Sequence, residues 1–164
     1  MRILVYLAGK DGKMYEREIA RNARVSPAAA HYMLAKFHKM GLVSREKKGR
    51  MVFYERNDES PRMRQLKVFI TISDLEPLVE KMKPLSKRVV LFGSCADGTN
   101  TEESDIDLFL LSNEKDKTME ILRTNEKIKA IVLNTIEFSE LGRKDRPLYE
   151  RINSGIELWG GETE

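Results

Sequence analysis

Gly93-Ser94 and the pair Asp105 and Asp107 are the residues of this chain whose types and spacing could do chemistry together. Ahead of Gly93 stand Val89, Val90, Leu91 and Phe92, a short continuous apolar run of the kind a strand buried on both faces shows. A glycine directly after such a strand lets the backbone turn sharply and approach a bound group, and the serine adds a hydroxyl and an N–H. The pair could cradle a phosphate. Asp105 and Asp107 take alternate positions at the start of a second expected strand, Asp105 to Leu111, so both carboxylates leave one face. Side by side they repel each other, a cost that a shared hard cation would remove, and carboxylate plus phosphate oxygens suit Mg²⁺. The plainer reading of the same residues is an ordinary Gly-Ser turn and a solvated strand entry with Ser104 as its cap.

Taken as one pattern, Gly93-Ser94, the following turn with Gly98, and Ser104-Asp105-Ile106-Asp107-Leu108 resemble the minimal nucleotidyltransferase family of the polymerase-beta-like superfold, over about half the chain. The resemblance implies that Gly93 and Ser94 hold the triphosphate of a bound NTP. It also implies that Asp105 and Asp107 bind Mg²⁺ and act as the catalytic carboxylates of in-line nucleotidyl transfer. In that family a third carboxylate sits on the next strand. Here that strand reads Lys127-Ile128-Lys129-Ala130-Ile131-Val132-Leu133-Asn134, with Lys129 or Ala130 at the acidic position; Glu126 precedes it and Glu137 follows in what reads as the next helix. Asp97 stands where the family often carries a basic residue. Two uses of the site stay open: nucleotide and Mg²⁺ binding as a sensor with weak or no catalysis, or transfer of NMP to a small-molecule, protein or RNA acceptor. Some members of the family are antitoxins that modify a partner ribonuclease.

The remainder of the chain must position this stretch, and its charge divides it. Residues 1–70 hold 16 Lys and Arg against 7 Asp and Glu, a net +9; residues 71–164 hold 13 against 19, a net −6, within an overall +3. A basic first half fits a polyanionic partner and an acidic second half fits a metal-bearing site. The single cysteine, Cys95, excludes an internal disulfide and a Cys/His metal cluster, and reads as a small residue packed under the turn ahead of the alternative, a partly exposed thiol near a phosphate pocket. No apolar stretch reaches the length of a membrane span, so a soluble, cytoplasmic protein is expected.

In the basic half, Ile3, Leu4 and Leu7 mark a first helix and Glu16 to Ala23 a second. Ser26-Pro27 opens a third as N-cap and first-turn proline, with Ala30, Met33, Leu34 and Phe37 inward, and Gly41 stops it. Leu42 to Arg45 and Met51 to Tyr54 read as strands around a basic tip, Glu46 to Arg50. This order resembles the winged helix-turn-helix of prokaryotic transcription regulators, which implies DNA as a partner. By that resemblance the outward residues of the third helix, Ala28, Ala29, His31, Tyr32, Lys36 and Lys39, and the wing residues Lys47, Lys48 and Arg50 form the DNA-binding set. Phosphate contacts should dominate over base reading there. A docking or dimerisation use of the same module stays open. His31 and His38 lack acidic or thiol companions at metal spacing and read as surface or boundary residues.

The expected fold is therefore α+β: a winged helix-turn-helix over 1–58, a helical connector over 59–85 and a small mixed-sheet nucleotidyltransferase-like domain over 86–164. The connector reads as two helices, one through Met63, Leu66, Phe69 and Ile70 and one begun by a Ser73/Glu76 capping box and running through Met82. Its apolar surplus suits either docking of one domain on the other or a homodimer. Beyond the acid-free strand, Ile136 to Leu141 and Leu148 to Ile152 read as helical and Gly155 to Trp159 as a last short strand or extended tail, with Gly160-Gly161 freeing the end. Arg143, Lys144, Arg146 and Arg151 are candidates to meet substrate phosphate or to form a solvated face.

Overall fold

The computed structural model describes residues 2–160, which form two compact units divided between Ile70 and Thr71. The first contains α1 (Arg2–Ala8), β1 (Met14–Tyr15), α2 (Glu16–Asn22), α3 (Pro27–Lys39), β2 (Val43–Lys48), β3 (Met51–Arg56) and the opening turns of α4 (Pro61–Met82). Ser26 caps α3 by accepting from the Ala29 N–H at 3.2 Å, and Pro27 fills the first helical position, where its missing N–H costs nothing. Ala30, Leu34 and Phe37 then share one buried stripe with Ile3, Leu7 and Ile19. His38 donates from Nδ1 to the Val43 carbonyl at 3.1 Å, stitching the turn that follows α3.

The three strands form an antiparallel sheet ordered β1-β3-β2. The wing differs from the sequence expectation. Glu46, Lys47 and Lys48 belong to β2 and pair across to Phe53, Val52 and Met51, so Gly49-Arg50 alone makes the turn. Charged side chains are compatible with a strand whose outer face meets water, and alternation at Val52 and Tyr54 supplies the inner face.

Two buried cations sit in this unit. The Arg56 guanidinium donates to the Ala8 carbonyl at 2.8 Å, to Asp58 at 2.8 Å and to Asp11, while the Lys67 ammonium reaches Asp58 at 3.1 Å. Burial alone would raise the Asp58 pKa, but Arg56 and Lys67 outweigh it and hold the carboxyl below its ordinary 3.8. A depressed folded-state pKa stabilises the native state at pH above the unfolded value, and that contribution is lost as pH falls through the folded one. Asp58→Asn is expected to cost about 1–2 kcal/mol at neutral pH. It should also flatten the loss of melting temperature below about pH 4, which a melt series across pH checks.

The second unit holds the later turns of α4, β4 (Arg88–Phe92), α5 (Ser94–Asp97), β5 (Ile106–Leu111), α6 (Lys115–Leu122), β6 (Ile128–Leu133), α7 (Thr135–Lys144), α8 (Arg146–Asn153) and β7 (Ile156–Gly160). Its four-stranded sheet is ordered β6-β5-β4-β7, with β5 and β6 parallel and the other pairs antiparallel. The expected α+β class with a mixed sheet is thus what the chain forms. One sheet face packs Leu91, Leu108 and Leu110 against Leu75, Val79 and Met82 of α4 and Leu122 of α6. The other packs Val90, Phe92 and Phe109 against Phe138 and Leu141 of α7 and Leu148 and Ile152 of α8.

Two connector helices were expected where one forms. α4 runs unbroken from Pro61 to Met82, with Pro77 inside it. Ser73 takes a helical backbone, and no glycine or helix-breaking proline lies between Ile70 and Ser73 to stop the first segment. Pro77 has no N–H to donate to the Ser73 carbonyl, yet Leu75, Val79 and Met82 remain buried on the helix's inner stripe. Helix α6 carried no sequence expectation because five of its eight residues are charged or polar. Its start is fixed instead by Ser112, whose Oγ accepts from the Glu114 N–H at 3.0 Å, and by Thr118, buried and donating to the Glu114 carbonyl at 2.8 Å. Gly160 is not a free end: it closes β7 opposite Arg88, and Gly161 lies outside the described residues. Among the described residues no helix is long and apolar enough to cross a membrane.

Candidate functional site

The centre of the second unit's site is the close apposition of Gly93 and Asp107. Phe92, the last residue of β4, pairs with Asp107 of β5, and the chain then turns at Gly93 with φ 71° and ψ −157°, a backbone state essentially reserved for glycine. A Cβ at Gly93 would stand 2.3 Å from Asp107 Oδ2, so the carboxylate occupies the space that any side chain there would need. Ser94 follows as the first residue of α5. Buried Cys95 beneath it points its Sγ at the Asp105 carbonyl, 3.4 Å away, holding this turn to the strand entry as a packed small residue would. The loop between closes on itself, with the Thr101 N–H donating to Ser104 Oγ at 2.8 Å, and Lys127 Nζ ties it to the start of β6 through the Glu102 carbonyl at 3.0 Å. Ser104 therefore serves this turn. Asp105, one residue ahead of β5, is exposed and Asp107 is half-buried.

The β5/β6 register places Lys129 directly opposite Asp107. Register partners on adjacent strands leave the same face, at about 4.8 Å spacing, so a lysine stands beside the acid pair. Glu137 is at the other end of β6, about 15–20 Å along the sheet, where it completes a capping box with Asn134 and pairs with Lys115. Those contacts hold its carboxyl below the usual range, Lys115 contributing most and the Asn134 N–H next. Glu126 lies in the exposed turn before β6, at the same sheet end as Asp105, because the neighbouring Lys127 carbonyl accepts from the Ile106 N–H at 2.8 Å. Among the described residues no cluster of three or more acids, histidines or cysteines is arranged to hold a metal ion. Asp105 and Asp107 therefore stand at this strand entry with Lys129, and not a third acid, opposite Asp107.

Arg151 is the residue that position in the sequence left ambiguous. Helix α8 is anchored by Asp145, which accepts from the Leu148 N–H at 3.1 Å, by buried Ile152, and by a ring stack running from Phe109 through Phe138 to Tyr149. This places the Arg151 guanidinium 5.6 Å from the Phe92 ring centroid. Arg151, Gly93, Asp97, Ser154 and Gly155 line one cavity of about 100 Å³. A Cβ at Gly155 would stand 2.5 Å from the Leu91 carbonyl, so glycine is what lets α8 close onto β4. Arg143, Lys144 and Arg146 do not join this cavity; Lys144 and Arg146 pair with Glu140 and Glu150 on their own helices. Asp97, the acid in the place of a basic residue, thus shares a cavity with a cation supplied from elsewhere in the fold. The cavity thus brings the Gly93 backbone, the Arg151 guanidinium and the Asp97 carboxylate together with Ser154, while Ser94, Asp105 and Asp107 lie outside its lining. A larger groove, about 420 Å³, between α4 and β7 is lined by apolar Ile72, Val79 and Leu158 together with Glu76, Glu80, Lys83 and Glu157, and contains neither Gly93 nor the acid pair.

In the first unit, Ala28, Tyr32, Lys36 and Lys39 form one exposed stripe along α3, flanked by exposed Ala29 and His31. Tyr32 is 68% exposed, an unusual state for so large an aromatic. His31 Nδ1 donates to the Glu16 carboxylate at 3.1 Å, which orients the ring and fixes α3 to the start of α2. Lys47, Lys48 and Arg50 are exposed on the hairpin, where Lys48 shares Glu46 with Lys13.

These features define a helix-turn-helix domain followed by a nucleotidyltransferase-fold domain. Residues 75–164 match the family described as polymerase beta, nucleotidyltransferase, and residues 1–47 match the IclR helix-turn-helix domain. The chain belongs to the polymerase beta nucleotidyltransferase family, with the helix-turn-helix domain ahead of it. Neither the curated proteins nor the solved structures provide a match to it.

Proposed function

We propose that this protein is a DNA-binding regulator whose nucleotidyltransferase-fold domain binds a nucleoside triphosphate as a sensor rather than transferring it. The observation that carries the sensing half is Lys129 beside Asp107, where transfer would call for a third carboxylate. Gly93, Ser94 and Arg151 would hold the phosphates, and Asp105 and Asp107 could share one Mg²⁺ with them; that ion would screen phosphate charge. The DNA half is supported by the exposed Lys36 and Lys39 on α3 and the cationic hairpin, in a unit with a large basic excess.

A mobility-shift titration with genomic DNA fragments at low and raised salt, with and without ATP or GTP, tests the combination. Binding that weakens steeply with salt and changes midpoint with nucleotide is the expected result; no shift even at low salt overturns the regulator reading. Transfer to an acceptor is the alternative, and label from α-labelled ATP that appears on an acceptor with the wild type but not with Asp105→Ala/Asp107→Ala would establish it.

A further inference from the structure

We propose that Lys129 and Arg151 are built-in counter-ions of the Gly93/Asp107 site, so that it takes the phosphate chain of a nucleoside triphosphate without requiring a divalent cation. The inference rests on the nucleotide-binding reading above and specifies how that site meets phosphate charge.

Two registers and one contact place the groups. Lys129 of β6 is opposite Asp107 of β5, and Asp107 is opposite Phe92 of β4. These residues form a row across one sheet face, with steps of about 4.8 Å. The guanidinium of Arg151 lies over the Phe92 end of that row and lines the cavity at Gly93. Asp107 is therefore flanked by a cation from β6 on one side and, beyond Phe92, a cation from α8 on the other. Asp107 is matched by Lys129 within the row, and Arg151 meets Asp97 in the cavity, so that with Asp105 at the strand entry three acids face two cations.

The consequence follows from charge. An acid pair alone repels a polyanion and needs a cation between the two before phosphate can approach. Here Lys129 is exposed on a flexible stem and can turn either to a carboxylate or to an incoming phosphate oxygen. The planar fork of Arg151 suits two phosphate oxygens at once. The same ammonium opposes a divalent ion settling between Asp105 and Asp107, because like charges in one small site disfavour each other. Lys129 thus weakens the metal site and replaces the metal's screening role.

The test is calorimetric titration of the full chain with ATP, once in EDTA and once in Mg²⁺, for the wild type, Lys129→Ala, Arg151→Ala and Lys129→Glu. Mn²⁺ is titrated separately without nucleotide. Wild-type affinity in EDTA is expected within about threefold of that in Mg²⁺, and each alanine variant should weaken binding in EDTA about tenfold or more. Lys129→Glu should make ATP binding depend on Mg²⁺ and strengthen Mn²⁺ binding about tenfold. Both side chains are exposed, and unchanged melting curves confirm that the variants fold. Wild-type binding seen only with Mg²⁺, binding in EDTA unaffected by Lys129→Ala, or no gain in Mn²⁺ affinity in Lys129→Glu overturns the inference and leaves the nucleotide site standing. Absence of ATP binding in both buffers overturns both.

Discussion

Gly93→Ala is expected to abolish nucleotide binding and to lower the melting temperature. The native φ of 71° with ψ −157° is strained for any residue with a Cβ, and forcing alanine into it costs about 1–3 kcal/mol. The new methyl group would also sit 2.3 Å from Asp107 Oδ2. Asp107 is short and stands on a strand held between two neighbours, so it can yield only by rotating its carboxylate out of the row or by shifting the turn. Either movement destroys the apposition that makes the cradle. A fall of about 5–15 °C, with no detectable ATP heat at a temperature where the variant is still folded, is the expected outcome. Ser94→Ala serves as the comparison: it removes one hydroxyl without touching the backbone state, so its melting temperature should stay near that of the wild type. A Gly93→Ala protein that binds ATP like the wild type would show that the turn is structural only.

Removing Lys36, Lys39, Lys47 and Arg50 together should cost more in DNA affinity than any other change in the first unit. Each phosphate contact contributes about 0.9 to the slope of log affinity against log salt, so four lost contacts flatten it by about 3–4. At low salt the affinity itself should fall by about two orders of magnitude or more. These side chains are exposed on α3 and the hairpin, so the fold should survive their loss. Lys48 is expected to add less, because its ammonium already shares Glu46 with Lys13. Fluorescence anisotropy with a labelled duplex across a salt series reads both quantities. An unchanged slope would mean that the cationic stripe is a solvated face and that the module docks on something other than DNA.

Much of the scaffold around these sites was legible because its signals are local. The apolar run before Gly93 announced a strand buried on both faces, and Val89 through Phe92 are buried accordingly. Ser26-Pro27 announced the start of α3, which needs only neighbouring residues to cap. The cases that misled have non-local causes. Ser73 has the spacing of a capping box, but packing on both sides of it, Met63 in one core and Leu75, Val79 and Met82 in another, holds α4 continuous. The hairpin lysines resemble a loop because strand pairing to β3, rather than their own propensity, keeps them extended.

The candidate site divides the same way. Gly93, Ser94, Asp105 and Asp107 could be named from spacing within one segment. That Lys129 is the residue beside Asp107, rather than Ala130, depends on a parallel register that one strand alone does not specify. Arg151 stands in a run with other basic residues in the sequence, and only the packing of α8 on Phe109 and Val90 separates it from Arg143, Lys144 and Arg146. The two cations that most change the reading of the acid pair are thus the two that sequence position left undecided.

The most direct measurement is one calorimetric titration of ATP, and likewise GTP, into the full chain with Mg²⁺ present, following both the binding heat and the baseline after saturation. The account predicts a saturable isotherm near one nucleotide per chain and a baseline that returns flat, since the site binds without transferring. No saturable heat with either nucleotide, or a sustained heat of turnover that disappears in Asp105→Ala/Asp107→Ala, would contradict it.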